Sequence, residues 1–295
     1  MKLEKWIEGY IDSSVRKKNT IGNVVIILRK RGITQFIRKT WVRLCFVLDS
    51  IKPTNEMKSS RLFYKEHSKD IKEIINILAD DKSKEVYKDA IRFRCTHKLS
   101  CFPDYNIYNQ YFDKEIVPAK DDYVFLDGGS YIGDTVDSFI SFCNGKYSRI
   151  ICFEPDPQNI AVLESNSTNI ENVYIVKKGL WDKKTSLFFS MEQTASKIAD
   201  DGSVKVDVTT IDDETLCSNA SFIKMDIEGA ELNALKGAIN TIKNNRPVLA
   251  ICIYHSDNDM INIIKWVKNL DLDYRLYVRH HNFDINETVL YAIPN

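Results

Sequence analysis

The spacing of apolar and polar residues changes character twice along this chain. In residues 1–58, apolar side chains (Trp6, Ile7, residues 24–28, Phe36, Ile37, Trp41, Val42, Leu44, Phe46, Val47, Leu48) alternate with the basic clusters Arg29-Lys30-Arg31 and Arg38-Lys39. This predicts a basic amphipathic segment. Residues 59–120 read as helical. Ile71, Ile74, Ile75 and Leu78 fall at i, i+3, i+4 and i+7, and Val86, Tyr87, Ala90 and Ile91 form a second face after a break at 80–83. Pro103 closes that region.

From residue 123 onward, short apolar runs alternate with helical faces. Strands are predicted at 124–126, 149–153, 173–176, 222–225, 248–254, 274–278 and 288–293, with an antiparallel hairpin insert at 187–190 and 204–209. Helices are predicted after the first strand (Val136, Phe139, Ile140), from Pro157, over about 229–243 as one piece, and over 260–270. Proline is tolerated in a first turn. Repeated βα units predict a mostly parallel sheet with helices on both faces, an α/β Rossmann-like fold. The last two strands are too close for a helix between them, so the sheet should close with an antiparallel hairpin.

A chain of 295 residues accommodates one α/β domain (121–295), a helical lead-in or cap (59–120) and the N-terminal segment (1–58). The 41 basic and 41 acidic residues cancel unevenly. Residues 1–58 hold 13 Lys/Arg against five acids, a surplus of eight positive charges that the rest of the chain balances. Seven cysteines without a Cys-x-x-Cys pair, several inside apolar runs, suggest buried reduced thiols in a cytoplasmic protein rather than a disulfide frame or zinc site. No apolar run, residues 24–28 included, approaches the length of a bilayer span. The basic segment therefore has two readings: a helical layer packed on the main domain, or a peripheral contact at the inner membrane face with Trp6, Trp41 or Phe46 as apolar anchors. Nothing resembles a nucleic-acid reading module.

The chemistry concentrates where strand, glycine turn and helix meet at 123–134. Val124-Phe125-Leu126 stops at Asp127, and Gly128, Gly129 and Gly133 follow before the helix. Glycines let backbone approach a ligand, and the helix start presents free N–H groups. The spacing is not Gly-x-Gly-x-x-Gly, which argues against a nicotinamide site. An acid at Asp127 suits a cationic, hydroxyl-rich ligand without phosphate, such as S-adenosyl-L-methionine. In such sheets ligands bind at the carboxyl ends of the strands. Glu154 stands after the second strand, placed to take a ribose diol. Gly179-Leu180-Trp181 follows the third and suits the flat face of adenine. Asp226 and Glu228 follow the fourth, Tyr254-His255 the fifth. Gln110-Tyr111-Phe112 lies where a segment could fold over the ligand. Plainer roles also exist: Glu154, Asp226 and Glu231 could cap neighbouring helices, and His255 could be a loop residue.

Residues 125–135 (Phe-Leu-Asp-Gly-Gly-Ser-Tyr-Ile-Gly-Asp-Thr) resemble the glycine motif of the FkbM-type methyltransferases. Phe153-Glu154-Pro155, Val208-Thr209-Thr210-Ile211-Asp212, residues 223–231 and residues 274–293 are similar to later motifs of that family, in the same order. The resemblance covers about residues 60–295 and leaves 1–58 outside. It implies a class I, S-adenosylmethionine-dependent fold and O-methylation of sugar or polyketide hydroxyls. The implied cofactor-binding set is Tyr111, Asp127, Gly128, Gly129, Ser130, Tyr131, Gly133, Asp134, Thr135, Glu154, Pro155, Gly179, Leu180 and Asp226.

Methyl transfer to a hydroxyl needs alignment and a proton acceptor. Asp226 and His255 are the candidate bases, with Glu228 as orienter. The same three residues could instead hold a divalent cation, and the reading taken is the metal-free base. The expected acceptor is a small molecule or glycan, with a sugar hydroxyl favoured. A non-catalytic adenosyl-ligand module and a nicotinamide oxidoreductase are the competing classes.

Overall fold

The computed structural model describes residues 44–46, 48–49, 52–102, 110–190, 197–198 and 204–295. Most of the basic segment, and with it the membrane-contact expectation, lies outside the described residues. Of the three named anchors, Phe46 is among the described residues. It is 2% exposed and packs edge-on against Phe93 and His97, while Asp49 stands 3.1 Å from His97 Nδ1. A buried ring is not an anchor offered to lipid, so for Phe46 the packing role holds. Among the described residues no helix is long and apolar enough to cross a membrane.

Three helices lead in: α1 (Asn55–Glu66), α2 (Ser68–Ile77) and α3 (Asp81–Thr96). Thr54 caps α1 by accepting from Met57 N, and Asp80 caps α3 by accepting from Ser83 N at 2.7 Å. Each cap satisfies a donor that the first turn leaves open, which sets the break where the periodicity lapses. Strands and helices then alternate: β1 (Val124–Gly128), α4 (Asp134–Phe142), β2 (Arg149–Phe153), α5 (Pro157–Ser167), β3 (Val173–Val176), β4 (Gly179–Leu180), β5 (Thr185–Ser190), β6 (Lys197–Ile198), β7 (Val204–Thr209), β8 (Phe222–Met225), α6 (Glu231–Lys236), α7 (Ile239–Asn245), β9 (Val248–Cys252), α8 (Asp259–Asn269), β10 (Tyr274–His280) and β11 (Thr288–Pro294).

The main sheet has the order β3-β2-β1-β8-β9-β11-β10. Neighbours are parallel as far as β9, and β11 is antiparallel to both β9 and β10. The expected closing hairpin is present, with its last strand inserted between β9 and the edge strand β10. Val124 and Leu126 face one apolar cluster and Phe125 the other, which is why β1 is apolar without alternation. On one side Phe125 stacks on Phe139, centroids 4.2 Å apart. On the other, Tyr87 and Phe93 of α3 join Leu276 and Val278 in the same cluster as Leu126. Backbone also ties the helical layer to the edge strand, through Ala79 N to Leu276 O at 2.8 Å.

Two expectations change. The insert is a four-stranded sheet, β4-β7-β5-β6, that takes in Gly179-Leu180. The helix expected over 229–243 is two helices broken at Gly237 and Ala238. A β-carbon on Gly237 would fall 2.1 Å from the Trp181 carbonyl oxygen, and Asp212 N donates to Gly237 O. Asp212 then caps α7 by accepting from Asn240 N and Thr241 N at 2.9 and 2.8 Å. Apolar periodicity runs straight through this joint because both halves face one core.

Candidate active site

At the carboxyl ends of β1 and β2 the site is made of backbone. Gly129 has φ +76°, and a β-carbon there would sit 2.0 Å from the Asp226 carbonyl oxygen. Only glycine fits. Gly129 N and Ser130 N both donate to Phe153 O, Ser130 Oγ donates to Asp127 O, and Gly133, at φ +93°, starts α4. Tyr131 has φ +51°, a conformation side chains rarely adopt. Its N–H donates to Glu154 Oε2 at 2.9 Å, while Asp156 N and Asn159 Nδ2 donate to Oε1. Glu154 is thus braced across the glycine turn. Burial pushes its pKa up, and those donors pull it back in part. Asp134, exposed, and Thr135, buried, form the first turn of α4, where Asp137 adds a second acid. Acids at a helix start oppose a phosphate there. Leu180 covers the turn: its Cδ1 would be 3.0 Å from a β-carbon on Gly128, and Gly179 sits beside Pro155.

The structure puts Asp127 deeper than the sequence reading did. The strand runs on to Gly128, so Asp127 shares a face with its register partner Lys224 on β8. Lys224 Nζ stands 2.9 Å from Asp127 Oδ1, with the side chains 2% and 0% exposed. Nζ also donates to Gly128 O and Gly129 O, two of the ammonium's three donors. Burial raises the Asp127 pKa, and the Lys224 charge opposes that. Asp127 therefore fixes the loop from below and does not present its charge at the strand end. Lys224 was missed; the signal was a lone cation inside a buried strand, which must find a partner.

At the ends of β8 and β9 the site is made of side chains. Asp226 accepts from Tyr254 Oη at 2.9 Å and from Tyr111 Oη at 3.2 Å. Burial first, then the Asp226 charge, holds both phenols well above their ordinary pKa, so both remain donors. Tyr111 does fold over the site: its N–H donates to Tyr291 Oη and its ring lies 5.1 Å from Lys224 Nζ. His255 Nε2 stands 3.2 Å from Asp226 Oδ1 and 3.1 Å from Glu231 Oε1. Glu228 is displaced to the rim, its side chain 58% exposed and 3.8 Å from His255 Nδ1. Glu231, read from sequence only as a helix cap, is the second convergent carboxylate. Its Oε1 also accepts from Ile227 N.

Burial disfavours a charged His255, but Glu231 and Asp226 together outweigh it and hold its pKa well above the ordinary value. While those carboxylates face only His255, the imidazole keeps its proton.

The methyltransferase FkbM domain matches residues 127–285, more than half of the chain. The chain belongs to this family. Over 136 residues, 43% of its length, it is 29% identical to the hexuronic acid methyltransferase AglP of Haloferax volcanii. It superposes on the FkbM methyltransferase of Methylobacillus flagellatus KT with a TM-score of 0.69 and 26% identity, covering 78% of this chain. The matches span 54% of AglP and 60% of the Methylobacillus protein, so this chain accounts for only part of each relative's length. The turn at Gly128–Gly133 lies within the matched residues, and the sheet is that of the class I methyltransferases.

Proposed function

We propose that this FkbM-family chain is an S-adenosyl-L-methionine-dependent O-methyltransferase acting on a sugar hydroxyl of a nucleotide sugar, glycan or glycolipid. The observation that carries the cofactor reading is Glu154, a buried carboxylate at the end of β2 whose two oxygens are fixed by Tyr131 N and Asp156 N. An ionised carboxylate has about four acceptor positions; Tyr131 N, Asp156 N and Asn159 Nδ2 take three, which leaves one, on Oε2, for a ribose hydroxyl. The residues fit the cofactor: the turn at Gly129 is closed to any side chain, and the start of α4 is acidic rather than phosphate-binding.

The bound cofactor supplies an already activated methyl group. The chain's task is to hold the acceptor in line, exclude water and manage one proton. On this reading Tyr111 and Leu180 would flank the cofactor, and Asp226, which accepts from two phenols, would face the acceptor. A hexuronic acid methyltransferase among the relatives supports a carbohydrate acceptor.

Calorimetric titration with S-adenosylmethionine and with NADH tests the reading: the first should bind and the second should not. Glu154→Ala should weaken cofactor binding about ten- to a hundredfold, the value of a charge-assisted pair of roughly 1.5–3 kcal/mol. Unchanged affinity in a folded variant would refute the role of Glu154. Methyl incorporation into a panel of nucleotide sugars and lipid-linked glycans, uronic acids included, separates an enzyme from a binding module.

A further inference from the structure

The cluster at the ends of β8 and β9 holds two carboxylates out of water against a single imidazole. Asp226 and Glu231 are 6% and 0% exposed, and the His255 side chain is 10% exposed. His255 Nε2 lies within 3.2 Å of an oxygen of each, yet neither oxygen is in line with its N–H and the nitrogen has no hydrogen-bond partner. Glu231 Oε2 is buried and also without a partner. A salt-bridged imidazolium aims its N–H at one acceptor; this nitrogen is within reach of two and in line with neither. One donor atom from each residue lies within 4.8 Å of the others. Neighbouring ligands around an ion with bonds of about 2.1 Å stand about 3 Å apart, and His255 Nε2 stands at that spacing from both carboxylates.

We propose that Asp226, Glu231 and His255 bind one divalent first-row cation of the Mn²⁺ or Zn²⁺ type. The imidazole ligand argues against Mg²⁺ and Ca²⁺, which take oxygen, and two carboxylates with a neutral imidazole balance a double charge. The ligands are held from behind. Ile227 N donates to Glu231 Oε1, and Tyr254 and Tyr111 donate to Asp226. Glu228 lies beside Nδ1, the ring nitrogen left over when Nε2 binds an ion. On the methyl-transfer reading above, the ion would polarise the acceptor oxygen and favour loss of its proton. That role rests on that reading; the ion site itself does not.

The test uses the full chain dialysed against chelator and titrated with Mn²⁺, with the free-ion electron paramagnetic resonance signal as readout. One equivalent should bind. His255→Ala and Glu231→Gln should each weaken it about tenfold or more, and Glu228→Gln, which changes only the rim partner of Nδ1, should weaken it less than either. Circular dichroism checks folding, and if Glu231→Gln fails to fold, His255→Ala carries the test from its loop position. Wild-type Mn²⁺ affinity in folded His255→Ala, or no stoichiometric binding by the native chain, overturns the proposal. S-adenosylmethionine titrated into the same dialysed protein reports the cofactor reading separately, so either idea can fail alone.

Discussion

Around β1 and β2 the cradle relies on backbone: carbonyls and N–H groups brought close by Gly129, with Glu154 as the principal side chain. Around β8 and β9 the wall relies on side chains, namely Asp226, Glu231, His255, Tyr111 and Tyr254. The first region is sensitive to a single added carbon. The second accepts changes of shape but concentrates charge that must be balanced. Lys224 joins the two, reaching from β8 to the Gly128 and Gly129 carbonyls and to Asp127. On the proposed function, cofactor binding would depend mainly on sterics on one side, and the proton or cation of the reaction on electrostatics on the other.

The strongest way to break this contrast is Gly129→Ala. The added carbon meets a backbone oxygen at 2.0 Å at a positive φ, and backbone cannot yield as a side chain can. Stability should fall by about 3 kcal/mol or more, lowering the thermal midpoint by roughly 6–12 °C. A midpoint within about 2 °C of the parent would show that the turn is not tight.

Lys224→Met comes next. It leaves Asp127 buried without its counter-charge, which costs about 3–5 kcal/mol in urea unfolding. Adding Asp127→Leu should restore most of the loss, because an apolar pair of similar volume is often neutral. If the double variant is no more stable than the single one, the pair does not act as a unit.

The smallest effect concerns pH. Burial raises the Glu154 carboxyl above its ordinary 4.5, and the proposed ribose contact would use its ionised form. Affinity for S-adenosylmethionine should therefore fall as pH drops through that raised value, and Glu154→Gln should flatten this acid limb. The free protein has the opposite sign: burial favours neutral Glu154, so ionising it lowers stability as pH rises from 4.5 toward the folded value. Calorimetry across the acid range checks the first statement and denaturant unfolding the second.

Much was legible from sequence because it is local. Strand runs such as 149–153 and 222–225 appear in the structure with those bounds, since a strand covered on both faces must be apolar throughout. Glu154 and Asp226 were readable from their places after strands. What the sequence could not determine was which carboxylate meets His255. Glu228 is nearer to Asp226 along the chain, but its φ of +59° and the turn into α6 send it to the rim, and one helical step brings Glu231 inward. The pairing of Asp127 with Lys224, 97 positions apart, depends on the register of two strands that meet only in the sheet. The break at Gly237 depends on a Trp181 carbonyl arriving from the insert. Periodicity and turn chemistry are written in neighbouring residues. Charge pairing and close backbone contact arise between segments distant in sequence, so only the packed tertiary structure decides them.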